Sequence, residues 1–225
     1  MTAVIAHRGA SRVERENTLA AFEAARRLGA DMVEFDVRHT ADGALVIHHD
    51  AWLPDGRAVA DIAAADRPAH VPLLDEAIDA CAGMGVHVEV KNAPNEPGYD
   101  AEGVVAPLVA TLRRHDRLRV IVSSFDLDTI DRVRRREAAI ETAWLVMAIE
   151  DSTLETLLEH GHESIHPWHG SVTADVVRRC AGAGVAVNVW TCDEPNRIQE
   201  LARWGVAGIC TNVPDIARRA LEAMA

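Results

Sequence analysis

Apolar and polar residues alternate strictly in two short stretches. In "MVEFDV" (32–37), Val33, Phe35 and Val37 share parity, and Glu34 and Asp36 share the other. In "VHVEVK" (86–91), Val86, Val88 and Val90 face one way, and His87, Glu89 and Lys91 face the other. Alternate side chains of a strand project to opposite faces, so each stretch is a strand with one apolar and one charged face. Further strand-length apolar runs are "AVIAH" (3–7), "ALVIHH" (44–49), "RVIVSSF" (119–125), "TAWLVM" (142–147), "SIHPW" (164–168), "VAVNVW" (185–190) and "AGICTN" (207–212).

Helical periodicity fills most of the gaps. "LAAFEAARRLGA" follows Asn17-Thr18, either of which can cap it, and ends in glycine. "PLLDEAIDACAGMG", "TADVVRRCAGAG" and "EPNRIQELARWG" repeat that design. Sustained β-α alternation predicts a parallel sheet. The nine strand candidates exceed the eight of a (β/α)₈ barrel by one, and one pair breaks the pattern. Only "RHTADG" separates 32–37 from 44–49, and Asp42-Gly43 is a hairpin signal. The strand at 44–49 is therefore expected to return antiparallel outside the ring. It would carry His48, His49 and Asp50 back to the C-terminal mouth, where such barrels keep their active sites. Residues 51–72, with a central glycine and two late prolines, predict a short irregular excursion near the mouth. The expectation is one α/β domain spanning 1–225.

In a barrel the apolar face of each strand lies under helices and the polar face looks into the axis. Glu34, Asp36 and Glu89 are then expected to meet inside. Buried like charges carry a penalty of several kcal/mol per ion. They must protonate, pair with cations such as Arg8 and Lys91, or hold an ion. Three carboxylates without cysteine favour one hard divalent ion, Mg²⁺ or Ca²⁺. The first strand ends in His7-Arg8-Gly9; the arginine fork suits a phosphate or carboxylate, and the glycine permits a sharp turn.

Composition narrows the partners. The 225 residues carry a net charge of −12 and no basic run, which argues against nucleic acid and against an anionic membrane surface. The Arg-rich 131–141 also contains acids and reads as a solvated helix face. No apolar stretch approaches the ~18–20 residues of a membrane span, and the first residues lack the pattern of a secretory leader. Cys81, Cys180, Cys192 and Cys210 form no CxxC pair and read as reduced thiols. A cytoplasmic location, a small-molecule substrate and no stable membrane insertion are expected; nothing specifies an oligomeric state.

The chain resembles the glycerophosphodiester phosphodiesterase family. The resemblance lies in "HRGASRVERENT" (7–18), "GADMVEFDVRHTADGALVIHHD" (29–50), "VPLLDEAIDAC" (71–81), "VEVKN" (88–92), "SSF" (123–125) and "VNVWTCDEPNRIQELARWGVAGICTNVP" (187–214). It implies a TIM-like barrel, a divalent ion, and hydrolysis of glycerophosphodiesters to glycerol 3-phosphate and an alcohol. It also implies that His7 and His49 are the catalytic pair and that Glu34, Asp36 and Glu89 are metal ligands. Arg8 and Lys91 would be phosphate contacts, and Trp190 would line the substrate pocket. Periodicity alone does not separate His48 from His49; the resemblance favours His49. Ser124 and His166, at strand ends, are further candidates for substrate contact. Three positions depart from the family pattern: Arg15 replaces a proline, Thr211-Asn212 replaces Thr-Asp, and the segment after His49 is short. Alternative readings are a lysophospholipase-D-like phosphodiesterase, a metal-dependent sugar isomerase or epimerase on the same fold, and an inactive ligand-binding barrel.

Overall fold

The alternating stretches become strands of one closed ring. A computed structural model of the chain describes residues 2–115 and 118–224. In chain order the elements are β1 (Ala3–His7), α1 (Leu19–Arg27), β2 (Met32–His39), β3 (Leu45–Ile47), α2 (Leu74–Ala80), β4 (Gly85–Val90), α3 (Ala101–Arg114), β5 (Val120–Ser124) and α4 (Leu127–Arg136). They continue with β6 (Glu141–Val146), α5 (Asp151–Glu159), β7 (Ser164–Pro167), α6 (Ala174–Gly182), β8 (Ala186–Val189), α7 (Pro195–Trp204), β9 (Gly208–Thr211) and α8 (Pro214–Glu222).

Eight strands are parallel and run β1-β2-β4-β5-β6-β7-β8-β9, with β1 pairing β9 to close the barrel. The remaining strand, β3, lies outside the ring. It pairs antiparallel with the C-terminal end of β2, Val37 opposite Ile47 and His39 opposite Leu45. β1 covers only Met32–Glu34 of β2, so β3 takes the edge that β1 leaves. The hairpin is shorter than 44–49 because the ladder ends at Ile47. His48 still donates its N–H to the Asp36 carbonyl, and the chain then turns toward the mouth. Residues 51–72 are an irregular excursion with two single-turn 3₁₀ segments, packed through Leu53, Val59, Ile62 and Val71.

Every strand sorts its side chains by parity. Val33, Phe35 and Val37 of β2 join Val86, Val88 and Val90 of β4, all at most 1 % exposed, in the layer beneath α1, α2 and α3. Phe22 of α1 packs on Phe35 with ring centroids 5.6 Å apart. Burying a side chain of this size contributes about 2–3 kcal/mol. A second cluster, including Ile165, Val187 and Ile209, lies beneath the later helices. Inside the ring, Ile5, Met32, Ile121, Ala143 and Cys210 form an apolar plug. Toward the strand C-termini the same parity turns polar: Met32 is followed by Glu34, Asp36 and Arg38.

Two glycines permit close approaches. At Gly208 a Cβ would stand 2.4 Å from Asn188 Oδ1 and 2.8 Å from Ile5 Cδ1, so the barrel interior requires its absence. Gly9 has φ +81°, and a Cβ there would lie 2.6 Å from the Ala21 backbone. The chain leaving β1 therefore lies directly on α1, whose first turn is capped by Thr18 Oγ1 accepting from the Ala21 N–H. Of the two caps the sequence offered, Thr18 is used, and Asn17 is freed for the barrel interior.

Candidate active site

The polar interior opens into a cavity of about 150 Å³ lined by His7, Arg8, Glu34, His49, Glu89 and Lys91, with Trp190 and Phe125 on one wall. β1 delivers His7 and β2 delivers Glu34 as its register partner. Glu89 of β4 stands level with Asp36. His49 arrives from outside the ring on the turn after β3, as the hairpin predicts, whereas His48 lies off this cavity and bonds the Asp50 carbonyl through Nδ1.

The three acids converge. One carboxylate oxygen each of Glu34, Asp36 and Glu89 lies within 4.8 Å of the others. Glu34 and Asp36 are 2 % and 1 % exposed, and the Glu89 side chain is 13 % exposed. Glu34 Oε2 accepts the Arg8 N–H at 2.9 Å. Asp36 Oδ2 accepts from Asn17 Nδ2 at 2.7 Å and lies 3.2 Å from Arg8 Nε. Lys91 Nζ donates to Glu89 Oε1 at 2.7 Å and stands 3.5 Å from Asp36 Oδ1. Glu34 Oε1 and Asp36 Oδ1 are buried and accept no hydrogen bond. Buried polar atoms rarely stay unpaired. Two bare oxygens facing a third carboxylate are the donor set a hard divalent cation takes, so the residues present fit such an ion.

The electrostatics agree. Burial, reinforced by the negative neighbours Asp36 and Glu89, pushes the Glu34 carboxyl well above its usual range. Burial also raises Glu89, against the attraction of Lys91. Burial works against ionisation of Asp36 too, but Lys91 and Arg8 outweigh it and hold its carboxyl below the ordinary value. The opposed shifts favour negative charge on Asp36, beside Lys91 and Arg8, and disfavour it on Glu34 and Glu89.

The two histidines differ in surroundings. His7 is half-buried; its Nδ1 bonds Asn212 Oδ1 at 2.7 Å. Burial, then the Arg8 charge, lower its pKa below 6.5. His49 is 34 % exposed, and its Nδ1 lies 2.7 Å from Asp50 Oδ1. That hydrogen bond holds the Asp50 carboxyl below its usual range.

Arg8 and Asn17 have φ of +55° and +56°. Such backbone is uncommon for residues with a Cβ and persists where surroundings hold it. Here Asn17 N–H bonds the Arg8 carbonyl, and Asn17 brackets Asp36 with Nδ2 and with Oδ1, which accepts the Asp36 N–H at 3.3 Å.

Of the three remaining expected substrate contacts, two fall elsewhere. His166 does not line the cavity. It is 1 % exposed one layer lower, where its Nε2 bonds Asn188 at 2.9 Å, because its β7 position is level with the barrel interior and not with the rim. Ser124 is 1 % exposed and donates to the Val90 carbonyl, tying β5 to β4 at the edge of a neighbouring groove. Trp190 does face the cavity, with Nε1 donating to the His166 carbonyl and its ring edge-on to Phe125, centroids 5.6 Å apart. Sequence reasoning missed Arg38, although it shares parity with Glu34 and Asp36. It is 6 % exposed and donates to the His49 carbonyl from Nε at 2.9 Å and Nη2 at 2.6 Å, and to Glu96 at 2.9 Å.

Level with Glu34 and also lining the cavity, His87 bonds Ser123 Oγ at 2.7 Å and stacks edge-on against His166. Burial lowers the His87 pKa to about 3. The unfolded chain takes up this proton near the ordinary 6.5. Stability from neutral His87 is therefore present above pH 6.5 and is lost as pH falls toward 3. Denaturant unfolding at pH 7 and pH 5 is expected to show a drop about 2 kcal/mol smaller in His87→Asn than in wild type. Equal drops contradict the buried neutral ring.

Residues 7–216 match the sequence profile of the glycerophosphoryl diester phosphodiesterase family. A glycerophosphodiester phosphodiesterase of Caldanaerobacter subterraneus is 28 % identical, with 95 % of each chain covered. A probable glycerophosphodiester phosphodiesterase 1 of Mycobacterium tuberculosis is 30 % identical over 97 % of this chain and 92 % of its own. Among solved structures, an Oleispira antarctica phosphodiesterase in complex with the product sn-glycerol-3-phosphate superposes with TM-score 0.92 at 26 % identity, covering 99 % of this chain and 97 % of that one. A Silicibacter pomeroyi structure described as a putative glycerophosphoryl diester phosphodiesterase gives TM-score 0.89 at 28 % identity, covering 100 % and 94 %.

Proposed function

The chain belongs to the glycerophosphoryl diester phosphodiesterase family and is a hydrolase of glycerophosphodiesters, and we propose that it does this chemistry with His7 and His49 beside one divalent ion held by Glu34, Asp36 and Glu89. The observation that carries the reading is that Glu34, Glu89, Arg8, Lys91, His7 and His49 line one 150 Å³ cavity, with a carboxylate oxygen of Asp36 within 4.8 Å of the other two acids. Three carboxylates against Arg8 and Lys91 leave the pocket net negative, which repels a phosphodiester. A divalent ion reverses that sign and, when bound, supplies electrostatic stabilisation of the charge that develops on phosphorus-bound oxygens. Mg²⁺ and Ca²⁺ both suit an all-oxygen donor set.

Arg8 and Lys91 bind the phosphate oxygens. Arg8 is fixed by its backbone bond to Glu34 and by Glu16, whose Oε1 lies 2.9 Å from Nη1. His7, kept neutral by burial, takes the proton from the attacking oxygen. His49, with Asp50 as its carboxylate partner, gives a proton to the departing alkoxide as the phosphorus–oxygen bond breaks. The glycerol phosphate portion sits against Trp190 and Phe125. An adjoining groove of about 480 Å³, walled by Val90, Ala93, Pro94 and Phe125, receives the alcohol. Its apolar wall favours a second, lysophospholipase-D-like reading in which the groove instead takes an acyl chain carried by the glycerol.

The test is release of glycerol 3-phosphate, coupled to its dehydrogenase, from glycerophosphocholine, -ethanolamine, -inositol and -glycerol with Mg²⁺, Ca²⁺ and Mn²⁺ in parallel. Turnover of at least one diester is expected, stopping with chelator and returning with the ion. Lysophosphatidic acid formed from lysophosphatidylcholine, read by mass spectrometry, supports the second reading. No turnover of any diester under every ion contradicts both.

A further inference from the structure

We propose that Asp193, acting through Asn212, fixes which ring nitrogen of His7 carries the proton, and that both are positioning residues for the reaction. The inference rests on His7 as the base. The three side chains come from different parts of the mouth: His7 ends β1, Asp193 lies between β8 and α7, and Asn212 lies between β9 and α8.

Donor and acceptor counting gives the direction of every bond. A carboxylate only accepts. Asp193 Oδ1 accepts the Asn212 N–H at 2.8 Å and the Thr211 hydroxyl at 3.0 Å, and Oδ2 lies 2.8 Å from the Asn212 side-chain amide. Arg12 Nη2, at 4.0 Å from Oδ2, adds a weak ion pair. The Asn212 amide must therefore turn its NH₂ toward Asp193 and its Oδ1 the other way. That oxygen accepts from Ser11 Oγ at 2.9 Å and faces His7 Nδ1 at 2.7 Å. An amide oxygen has no proton to give, so Nδ1 of His7 carries the hydrogen. Nε2 is left with the lone pair, as a general base requires. The aspartate thus sets the tautomer without adding a charge beside the imidazole. The asparagine that departs from the Thr-Asp pattern is the link that transmits orientation and withholds charge.

The relay can be inverted. In Asp193→Asn the bonds from Thr211 and the Asn212 backbone keep the new amide oxygen at Oδ1, so its NH₂ takes the place of Oδ2. Two NH₂ groups then oppose each other, and Asn212 flips. Its NH₂ meets His7 Nδ1, and the proton moves to Nε2. The double variant Asp193→Asn/Asn212→Asp restores an acceptor facing Nδ1 and a donor facing residue 212.

The experiment is nitrogen-15 NMR of the His7 ring at pH 8 in the Mg²⁺-loaded enzyme, assigned by the signals lost in His7→Gln, alongside kcat and KM. Expected are the Nδ1–H tautomer in wild type and in the double variant, and Nε2–H in Asp193→Asn. kcat should fall about a hundredfold in the single variant with KM within about threefold, and recover to within about tenfold in the double. A loss of packing alone would not be reversed by exchanging the two residue types. Nε2–H in wild type overturns the proposal without any variant, as does Nδ1–H persisting in Asp193→Asn. If the tautomers follow the scheme and kcat does not move, the relay stands and the role of His7 as base is overturned.

Discussion

Replacing His7 with alanine is expected to lower kcat by about 10³-fold and leave the protein folded. Loss of a positioned proton-transfer group removes about 10²–10⁴. The fold survives because His7 is half-buried at a strand end and its partner Asn212 keeps its bonds to Ser11 and Asp193. His49→Ala is expected to fall by a similar factor, since the alkoxide then leaves without a proton. The double variant should be only slightly slower than either single one, because base and acid act in one transition state and their losses do not multiply. The coupled glycerol 3-phosphate assay with circular dichroism as the fold control decides this. Wild-type-like turnover in either single variant contradicts the assignment.

Glu34→Gln is expected to act in two opposite directions. Without metal the variant should be the more stable protein at neutral pH. Glu34 is buried with Asp36 and Glu89 beside it, so its ionised form is disfavoured in the folded state. A carboxyl whose folded pKa is raised weakens the fold as pH rises through its ordinary value of about 4.5. A neutral amide removes that weakening, and its oxygen can still accept the Arg8 N–H. The gain is of order 1 kcal/mol, or about 2–4 °C in Tm for a chain of this size, and it should vanish in acid, where Glu34 is itself protonated. With metal the order reverses. A divalent ion at a hundred times its Kd adds about 2.7 kcal/mol to the wild type, and the variant should lose most of that increment. Thermal melts with chelator and with excess Mg²⁺ measure both halves.

The parts of this site that lie on single strands were legible in the sequence. Parity put Glu34 and Asp36 on one face of β2, and Glu89 and Lys91 on one face of β4. The count of strands turned those faces inward. Asp42-Gly43 marked the hairpin that delivers His49. Contacts between segments far apart in the chain were not legible. Asn212 reaches His7 across 205 positions, and Asn17 reaches Asp36 from a strained turn. No periodicity encodes either bond. His166 was misplaced for a related reason. Parity gives the face of a strand, but height along the barrel axis depends on the stagger between neighbours. Arg38 needed no new signal: extending the count from Glu34 and Asp36 by two positions reaches it. A charged residue past the inward-facing acidic pair reads as surface until β3 and residue 96 are seen to close over it.

Calorimetric titration of the chelated protein with Mg²⁺ and Ca²⁺, beside the same titration of Glu34→Gln, tests the central claim that three buried carboxylates form one cation site. The predicted result is one ion per chain in the wild type and binding at least tenfold to a hundredfold weaker in the variant. Equal affinity in the two proteins, or no ion bound by the wild type, would contradict it.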